Sequence, residues 1–308
     1  MQVGSAITRM TPALQLQGRL FCGLSMALAI ASLAGARLDS QQELLAAGAL
    51  VLLLGVPHGA FDVVLAPKLF VVAGLKGWTV FSLLYVGLSA LVVGFWLVAP
   101  TLFLCIFLTF AALHFGGDPA AGVSRLSRGL YGGAVIVLPA LLHAAELQQL
   151  LGFVAGPESA AVVMPALRLL AAPWLCATVF AGALLARTSP LAAGEWAALA
   201  AVSVAAPPLI AFTVYFCAMH SPRHILRTLA NLHGTEARHA LTMAFWPTVV
   251  VLAAAALVAT MATNLPLETR VIQLVFVGLA ALTLPHMVLI ERARRVSAPA
   301  EPRRPTNP

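Results

Sequence analysis

The stretch from Thr79 to Val98, TVFSLLYVGLSALVVGFWLV, is twenty residues long and contains no charged side chain. A helix needs about 20 predominantly apolar residues to cross the hydrocarbon core of a bilayer, so this stretch is long enough to span it. Lipid offers no water to backbone N–H and C=O groups, and the stretch lacks the strict alternation of a barrel strand. It is therefore predicted to form a transmembrane helix.

Similar apolar runs recur along the whole chain of 308 residues, of which 61% are hydrophobic and only 9% charged. Soluble proteins carry about 25% charged residues, so a water-soluble fold is excluded. The candidate spans are residues 20–36, 44–64, 79–98, 101–117, 129–145, 160–186, 209–230, 240–262 and 271–291. The predicted fold class is an all-α polytopic transmembrane helical bundle with eight to ten spans.

Three regions are expected: an N-terminal cytoplasmic segment over 1–19, a transmembrane helical domain over 20–291, and a basic, proline-rich, disordered tail over 292–308. Inside the second region, the pair Pro207-Pro208 interrupts an apolar stretch, and proline is tolerated in the first turn of a helix but not in its interior. A helix is therefore expected to begin at this pair.

The distribution of Lys and Arg predicts a multi-pass protein of the cell (inner or plasma) membrane with both termini in the cytoplasm. If the loops at 65–78, 117–128 and 220–239 also face the cytoplasm, 14 of the 18 basic residues lie inside. This arrangement needs an even number of spans, whereas nine were counted above. The basic residues are scattered over short loops and the tail rather than gathered on one face, so no nucleic-acid partner is expected.

Five of the eight histidines lie within or at the ends of apolar segments. They are His58, His114, His220, His224 and His286. Polar groups placed in lipid are costly and suggest function by default. One such histidine would more often be an interhelical hydrogen-bonding residue than a ligand. Five, placed toward the same predicted side of the membrane, favour a metal site.

His220 and His224 are four residues apart, which places both imidazoles on one helical face within reach of one ion. Pro222 between them lacks a backbone N–H, so it leaves the carbonyl of Ala218 without its helical donor and bends the helix. The pair is therefore expected at a distortion of the kind found where backbone lines a cavity.

His58 and His114 are each followed four residues later by an aspartate, Asp62 and Asp118. One interpretation is that each histidine is a ligand, and that each aspartate orients a ligand or an entry loop from behind. The other is that the aspartates cap helix ends or pair with basic side chains such as Arg223 at the membrane surface. The pattern alone does not separate the two.

Imidazole ligands suit both iron and zinc, so the histidines alone leave the identity of the ion open. The four cysteines lie inside apolar runs and show no Cys-x-x-Cys spacing, so thiolate ligation is not expected. His-Glu-x-x-His, Gly-x-Gly-x-x-Gly, Walker and Gly-x-Ser-x-Gly motifs do not occur in the sequence, which removes support for zincin-type protease, nucleotide-dependent and serine-hydrolase functions.

Four motifs occur in a fixed order: Pro-His-Gly-Ala-Phe-Asp at 57–62, His-Phe-Gly-Gly-Asp at 114–118, His-Ser-Pro-Arg-His at 220–224 and Pro-His at 285–286. With this ordered set the chain resembles the Brp/Blh family of bacterial and archaeal β-carotene 15,15′-dioxygenases, from about residue 50 to 291. The resemblance implies a membrane enzyme that cleaves β-carotene at its central double bond with O2 and gives two retinal molecules, usually for a rhodopsin.

The resemblance also implies Fe²⁺ as the cofactor, held by four catalytic histidines that correspond here to His58, His114, His220 and His224. A supporting role behind these ligands is assigned to Asp62, Asp118, Arg223 and His286. The aromatic residues near the motifs that are candidates to line a substrate channel are Phe61, Phe115, Tyr215 and Phe216. The substrate, a long apolar polyene, is expected to enter sideways from the surrounding membrane lipid.

Two alternatives stay open at the level of sequence. A non-catalytic membrane metal transporter or retinoid-binding protein would use the same histidines to relay ions or hold a ligand, although a transporter would be expected to show internal repeats and titratable acids through the whole depth. An oxygenase acting on another isoprenoid would carry the same metal site, since the motifs do not specify the substrate's ring or chain length.

Overall fold

The computed structural model describes residues 11–70, 72–119, 123–230, 232 and 234–297. Within them every regular element is helical, and none is a strand. The helices are α1 (Pro12–Leu33), α2 (Ser40–Leu50), α3 (Asp62–Leu69), α4 (Gly74–Val98), α5 (Pro100–Phe115), α6 (Arg125–Val137), α7 (Ala144–Ala155), α8 (Pro157–Ala186), α9 (Pro190–Ala205), α10 (Pro208–Val214), α11 (Ser221–Leu229), α12 (Thr235–Met261) and α13 (Leu267–Ser297). The predicted all-α polytopic helical bundle is confirmed.

Proline marks the start of many of these helices, because its missing N–H is one of those that have no intrahelical acceptor in the first turn. The helices that begin this way start at Pro12, Pro100, Pro157, Pro190 and Pro208. Pro208 is the position expected from the Pro207-Pro208 pair. At Pro12, the preceding Thr11 also caps the helix by accepting a hydrogen bond from the backbone N–H of Leu14 at 3.4 Å.

Six stretches of the described chain are long and apolar enough to cross a membrane, and a seventh crossing results if one bent pair of helices counts as a span. The six are Pro12–Leu33, Ser40–Pro67, Gly74–Val98, Pro157–Ala186, Thr235–Met261 and Leu267–Ala293. The bent pair joins Arg125–Ala140 to Ala144–Ala155 at an angle of 109°. The prediction of eight to ten spans was therefore too high.

Short and broken helices account for the difference. Helix α5, which corresponds to the predicted span 101–117, has 16 residues, which at about 1.5 Å per residue is roughly 24 Å and less than the core thickness of about 30 Å. The predicted span 209–230 is divided into α10, a π-helical turn Tyr215–His220 and α11, which carries Arg223 and Arg227. The predicted span 129–145 ends in the bend described above.

The ends of the bundle also differ from the sequence-based boundaries. Helix α1 begins at Pro12 and α13 continues to Ser297, so residues assigned to the N-terminal segment and to the tail are helical. Residues 1–10 and 298–308 lie outside the described part of the chain, and the division into three regions stays a prediction.

The helices pack closely on one side of the bundle, whereas helices α4 and α12 on another side face lipid. Helix α1 packs on α9, α5 on α6, α8 on α7 and α9, and α13 on α4 and α7. Helix α4 has no buried residue at all, and α12 buries only Ala240 and Ala244. Exposed leucines and valines on these two helices would be costly in water, so this surface is what a membrane protein presents to acyl chains.

Candidate metal centre

Five imidazole rings from distant parts of the chain meet at one place inside the bundle. His58 lies in a 3-10 turn Val56–Phe61, His114 in the last turn of α5, and His220 at the end of the π-helical turn Tyr215–His220. His224 lies in α11 and His286 in α13. Neighbouring rings in this cluster have centroids 4.7 to 5.7 Å apart. The structure thus brings together the four histidines expected as ligands and adds His286 to them.

The nitrogen atoms of this histidine cluster are placed as metal ligands would be. One ring nitrogen from each of His58, His114 and His286 lies within 4.8 Å of the other two. The Nε2 atoms of His220, His224 and His286 are buried without a hydrogen-bond partner. Leaving a buried polar atom unsatisfied costs about 1–3 kcal/mol, so three such atoms in one place fit a site that a cation completes.

Two aspartates contact imidazoles of the cluster through the ring nitrogen Nδ1. Asp118 lies 3.0 and 3.1 Å from Nδ1 of His220 through its two oxygens, and it also accepts a 2.5 Å hydrogen bond from the hydroxyl of Tyr215. Asp62 lies 2.7 Å from Nδ1 of His286 and accepts a 3.0 Å hydrogen bond from the hydroxyl of Tyr85. Each aspartate therefore contacts a histidine of another segment, not the histidine four residues before it.

These contacts determine which nitrogen faces the centre of the cluster. Burial raises the pKa of the Asp118 carboxyl, but His220, Tyr215 and Arg227 outweigh burial and hold that pKa below its ordinary value. A carboxylate can only accept, so Nδ1 is the nitrogen through which His220 donates to Asp118, and Nε2 is left to face the centre of the cluster. His58 shows the same polarity, because its Nδ1 lies 2.5 Å from the carbonyl oxygen of Gly55.

Two π-helical turns, Val51–Gly55 and Tyr215–His220, create the local geometry, and wide turns of this kind are frequent at functional sites. They pack directly on each other: Ser221 Oγ donates a 2.7 Å hydrogen bond to the carbonyl oxygen of Leu54. A Cβ at Gly55 would collide with the ring of Phe216, so only glycine permits this close approach. Histidines that follow each turn are thereby brought to one centre.

Arg223, expected beside the ligands, points away from the histidine cluster and into a buried ionic network. Its guanidinium donates to both carboxylate oxygens of Glu195 in α9, at 2.9 and 2.5 Å, and its Nε donates to Oε1 of Gln17 in α1 at 3.0 Å. Sequence reasoning missed Glu195, Gln17 and Tyr85. A signal existed for Glu195, which is the sole charged residue of an apolar helix.

The other two histidines in the described part of the chain, His143 and His239, play no part in the cluster. His143 lies between helices, with Nε2 3.1 Å from the carbonyl oxygen of Ala205 and Nδ1 3.2 Å from Glu146, as an interhelical contact would. His239 is exposed on α12, and His233 is outside the described residues.

A cavity of about 930 Å³ adjoins the histidine cluster and is bordered by His58, His114 and His286. Almost all of its other lining residues are apolar. Its lining includes Trp246 of α12, which is 65% exposed on the outside of the bundle, and Val154, which is 1% exposed in the interior. The volume is at the upper end of the usual range for ligand pockets, about 300–1,000 Å³.

The four aromatic residues proposed for a channel divide into two pairs. Phe115 and Phe216 line the cavity. Phe61 does not, because it packs against Ala240 and Ala244 of α12 instead. Tyr215 does not either, because its hydroxyl is engaged by Asp118.

Comparisons with known proteins point to one chemistry. Residues 49–292 match the family model described as beta-carotene 15,15'-dioxygenase. A curated protein of that name from the uncultured marine bacterium 66A03 is 29% identical over 265 residues, which cover 79% of this chain and 91% of that protein. No solved structure matches the chain significantly.

Proposed function

Because the chain belongs to the β-carotene 15,15′-dioxygenase family, and is therefore an oxidoreductase of the carotenoid-cleaving type, we propose that it cleaves β-carotene at the 15,15′ double bond. One β-carotene and one O2 give two molecules of all-trans retinal. Both oxygen atoms then enter the products, so the reaction consumes no external reductant.

The observation that carries this proposal is that the histidine cluster borders a large apolar cavity. A hydrocarbon substrate offers no polar group to bind, so it has to be held by shape and by apolar contact. Three imidazoles form part of the cavity wall, which places any ion they hold next to the polyene. This juxtaposition is not needed by a structural metal site.

The donor set fits a ferrous ion. His58, His114, His220 and His224 would hold it through neutral imidazole nitrogens, a ligand type that suits iron. Bound iron supplies the electron transfer between O2 and the polyene that the protein's own side chains lack. Zinc with the same four ligands would form a closed structural site.

The side chains of this chain bind, orient and exclude water. Asp118 fixes the ring of His220 so that Nε2 faces the centre, and Asp62 does the same for His286. Phe115 and Phe216 give the cavity apolar walls beside the imidazoles, which keep water from the reacting carbons. The cavity walls would hold the rigid polyene so that one double bond, rather than its neighbours, faces the metal.

Substrate and products would exchange with the bilayer. Trp246 and Ala254 of α12 line the cavity and are also exposed on the outside of the bundle, so this face of α12 is the entry we propose for β-carotene. Retinal released there would reach a retinal-binding membrane protein such as a rhodopsin through lipid.

We also place the protein in the cell membrane with both termini in the cytoplasm. Six crossings, an even number, support this arrangement, whereas counting the bent pair as a seventh would place the two termini on opposite sides. Fusions of alkaline phosphatase and green fluorescent protein to the C-terminus test it: a cytoplasmic end gives fluorescence without phosphatase activity, and the reverse result would place that end outside.

Expression in a bacterium that accumulates β-carotene tests the proposed reaction. We expect the colour to fade and retinal to appear by chromatography, and both effects to stop when iron is chelated. His220→Ala should abolish the activity, whereas His143→Ala, which removes a buried histidine outside the cluster, should retain it. Unchanged colour with a well-expressed protein would exclude β-carotene as substrate, and activity that survives His220→Ala would exclude this site.

A further inference from the structure

We propose that His286 is itself a metal ligand, so that five imidazoles rather than four surround the ion. The inference rests on the proposed metal site, and it changes the role of a residue that sequence reasoning placed behind the ligands. It assigns to the Pro-His motif at 285–286 a contact with the ion.

Geometry separates His286 from a residue that acts only in support. One ring nitrogen of His286 lies within 4.8 Å of a ring nitrogen of His58 and of one of His114, a spacing that a single ion can bridge. Its ring is also next to that of His224, with centroids 5.1 Å apart. A supporting residue would contact a ligand through a hydrogen bond, and Nε2 of His286 makes none.

The other nitrogen of His286 is held as a ligand's would be. Its Nδ1 lies 2.7 Å from Oδ1 of Asp62, whose other oxygen accepts the hydroxyl of Tyr85. Metal-binding histidines almost always donate their second N–H to a carboxylate or carbonyl, which directs the remaining lone pair to the ion. His220 with Asp118 shows the same arrangement on the opposite part of the cluster.

Burial makes an unliganded role costly. The side chains of His286 and Asp62 are each 3% exposed, and no described group satisfies Nε2. An orphaned nitrogen at that depth costs about 1–3 kcal/mol, which a bond to a cation removes. Asp62 and Tyr85 would then orient the imidazole of His286 toward the ion.

Five imidazoles have a consequence for coordination. An ion that prefers six ligands would keep one open position, whereas four imidazoles would leave two. A bound ion would then have room for O2 but not also for the polyene, which the cavity walls alone would hold. Zinc, which prefers four ligands, is disfavoured further.

Cobalt binding by the purified full-length protein tests this directly and needs no carotenoid. Metal-free protein in lipid nanodiscs is titrated with Co²⁺, and its visible d–d absorption and dissociation constant are measured for wild type, His286→Ala, His286→Gln, Asp62→Asn and the control His143→Ala. Removing a supporting partner of a ligand weakens binding roughly 10–100-fold. We expect Asp62→Asn to fall in that range with a spectrum like that of wild type.

For His286→Ala and His286→Gln we expect a larger loss, of about 100-fold or more, with an altered d–d spectrum. Added imidazole should restore the wild-type spectrum in His286→Ala. A wild-type spectrum in both His286 variants, with a loss no larger than that in Asp62→Asn, would overturn the inference while leaving the proposed function intact. Failure of wild type to bind Co²⁺ or iron would instead refute the proposed metal site.

Discussion

Gln17 in α1 donates a 2.7 Å hydrogen bond from Nε2 to the carbonyl oxygen of Ala218, the carbonyl left without its helical donor by Pro222. The side-chain oxygen of the same residue accepts from Arg223. Helix α1 lies before residue 49, where the match to the family model begins. A helix outside the matched part of the chain therefore supports the turn that carries His220.

Replacing Gln17 should loosen this turn. In Gln17→Leu both the Ala218 carbonyl and the Arg223 Nε lose a buried partner, at about 1–3 kcal/mol each. We expect a lower melting temperature and faster release of bound Co²⁺. Leu20→Ala, a change on the same helix at a position 64% exposed, is the control and should alter neither. Metal release at the wild-type rate in Gln17→Leu would show that α1 does not support the site.

The pair Arg223–Glu195 predicts strong coupling between α11 and α9. Its side chains are 2% and 4% exposed, and removing one partner of a buried pair costs about 3–5 kcal/mol because the other charge is left uncompensated. We expect Glu195→Gln and Arg223→Met each to lower thermal stability strongly, and the double variant to lose less than the two losses added together. Glu158→Gln, at an exposed glutamate, should have little effect. Additive losses would contradict the coupling.

Gly55 tests the contact between the two π-helical turns. An added methyl group would collide with Phe216, so Gly55→Ala should destabilise the protein by about 1–3 kcal/mol, the usual cost of overpacking. Phe216→Leu in the same chain should recover part of that loss in a thermal melt. The neighbouring Gly59 has open space around its Cα, so Gly59→Ala is a matched control. Equal effects of the two alanine changes would argue against the collision.

Asp118 should matter for metal binding through His220. Asp118→Asn keeps the shape of the side chain but loses the negative charge that holds the imidazole, so the Co²⁺ dissociation constant should rise roughly 10–100-fold. Tyr215→Phe removes one hydrogen bond to the same carboxylate and should have a smaller effect in the same titration. A larger effect for Tyr215→Phe would mean that the hydroxyl, rather than the carboxylate, organises the site.

The buried part of the cavity lined by Val154 should be needed for turnover of β-carotene. Val154→Phe fills space at a position 1% exposed, so turnover of β-carotene should fall while Co²⁺ binding stays at the wild-type level. Leu169→Phe on the lipid side of α8, at a position 78% exposed, is the control. Retinal production at the wild-type rate in Val154→Phe would show that the substrate does not contact the part of the cavity lined by Val154.

The sequence predicted the structure best where a segment's position in lipid alone determined it. Uninterrupted apolar runs such as Thr79–Val98 predicted helices correctly, because lipid allows the backbone no other partner. The histidines were found for the same reason, since polar groups in apolar segments stand out. The span count was overestimated because α5 is apolar yet too short to cross, and because the predicted spans 129–145 and 209–230 are broken.

Features that depend on packing between distant segments were not predictable in this way. The sequence pattern suggested that each aspartate orients a ligand but could not say which one, and in the structure Asp62 reaches His286 and Asp118 reaches His220. Gln17 and Tyr85 gave no local signal, since their roles arise only when α1 and α4 are in place. Pro222 did predict an unsatisfied carbonyl, but not the residue that would satisfy it.

Helix α4 buries no side chain and α12 buries only two small ones, yet both helices border the cavity. Acyl chains of the surrounding lipid therefore complete part of the wall around a bound polyene, and these chains exchange with the bilayer. The rate of this enzyme should therefore depend on the chain length and order of the surrounding lipid. A detergent that covers the faces of α4 and α12 would compete with the substrate for the cavity.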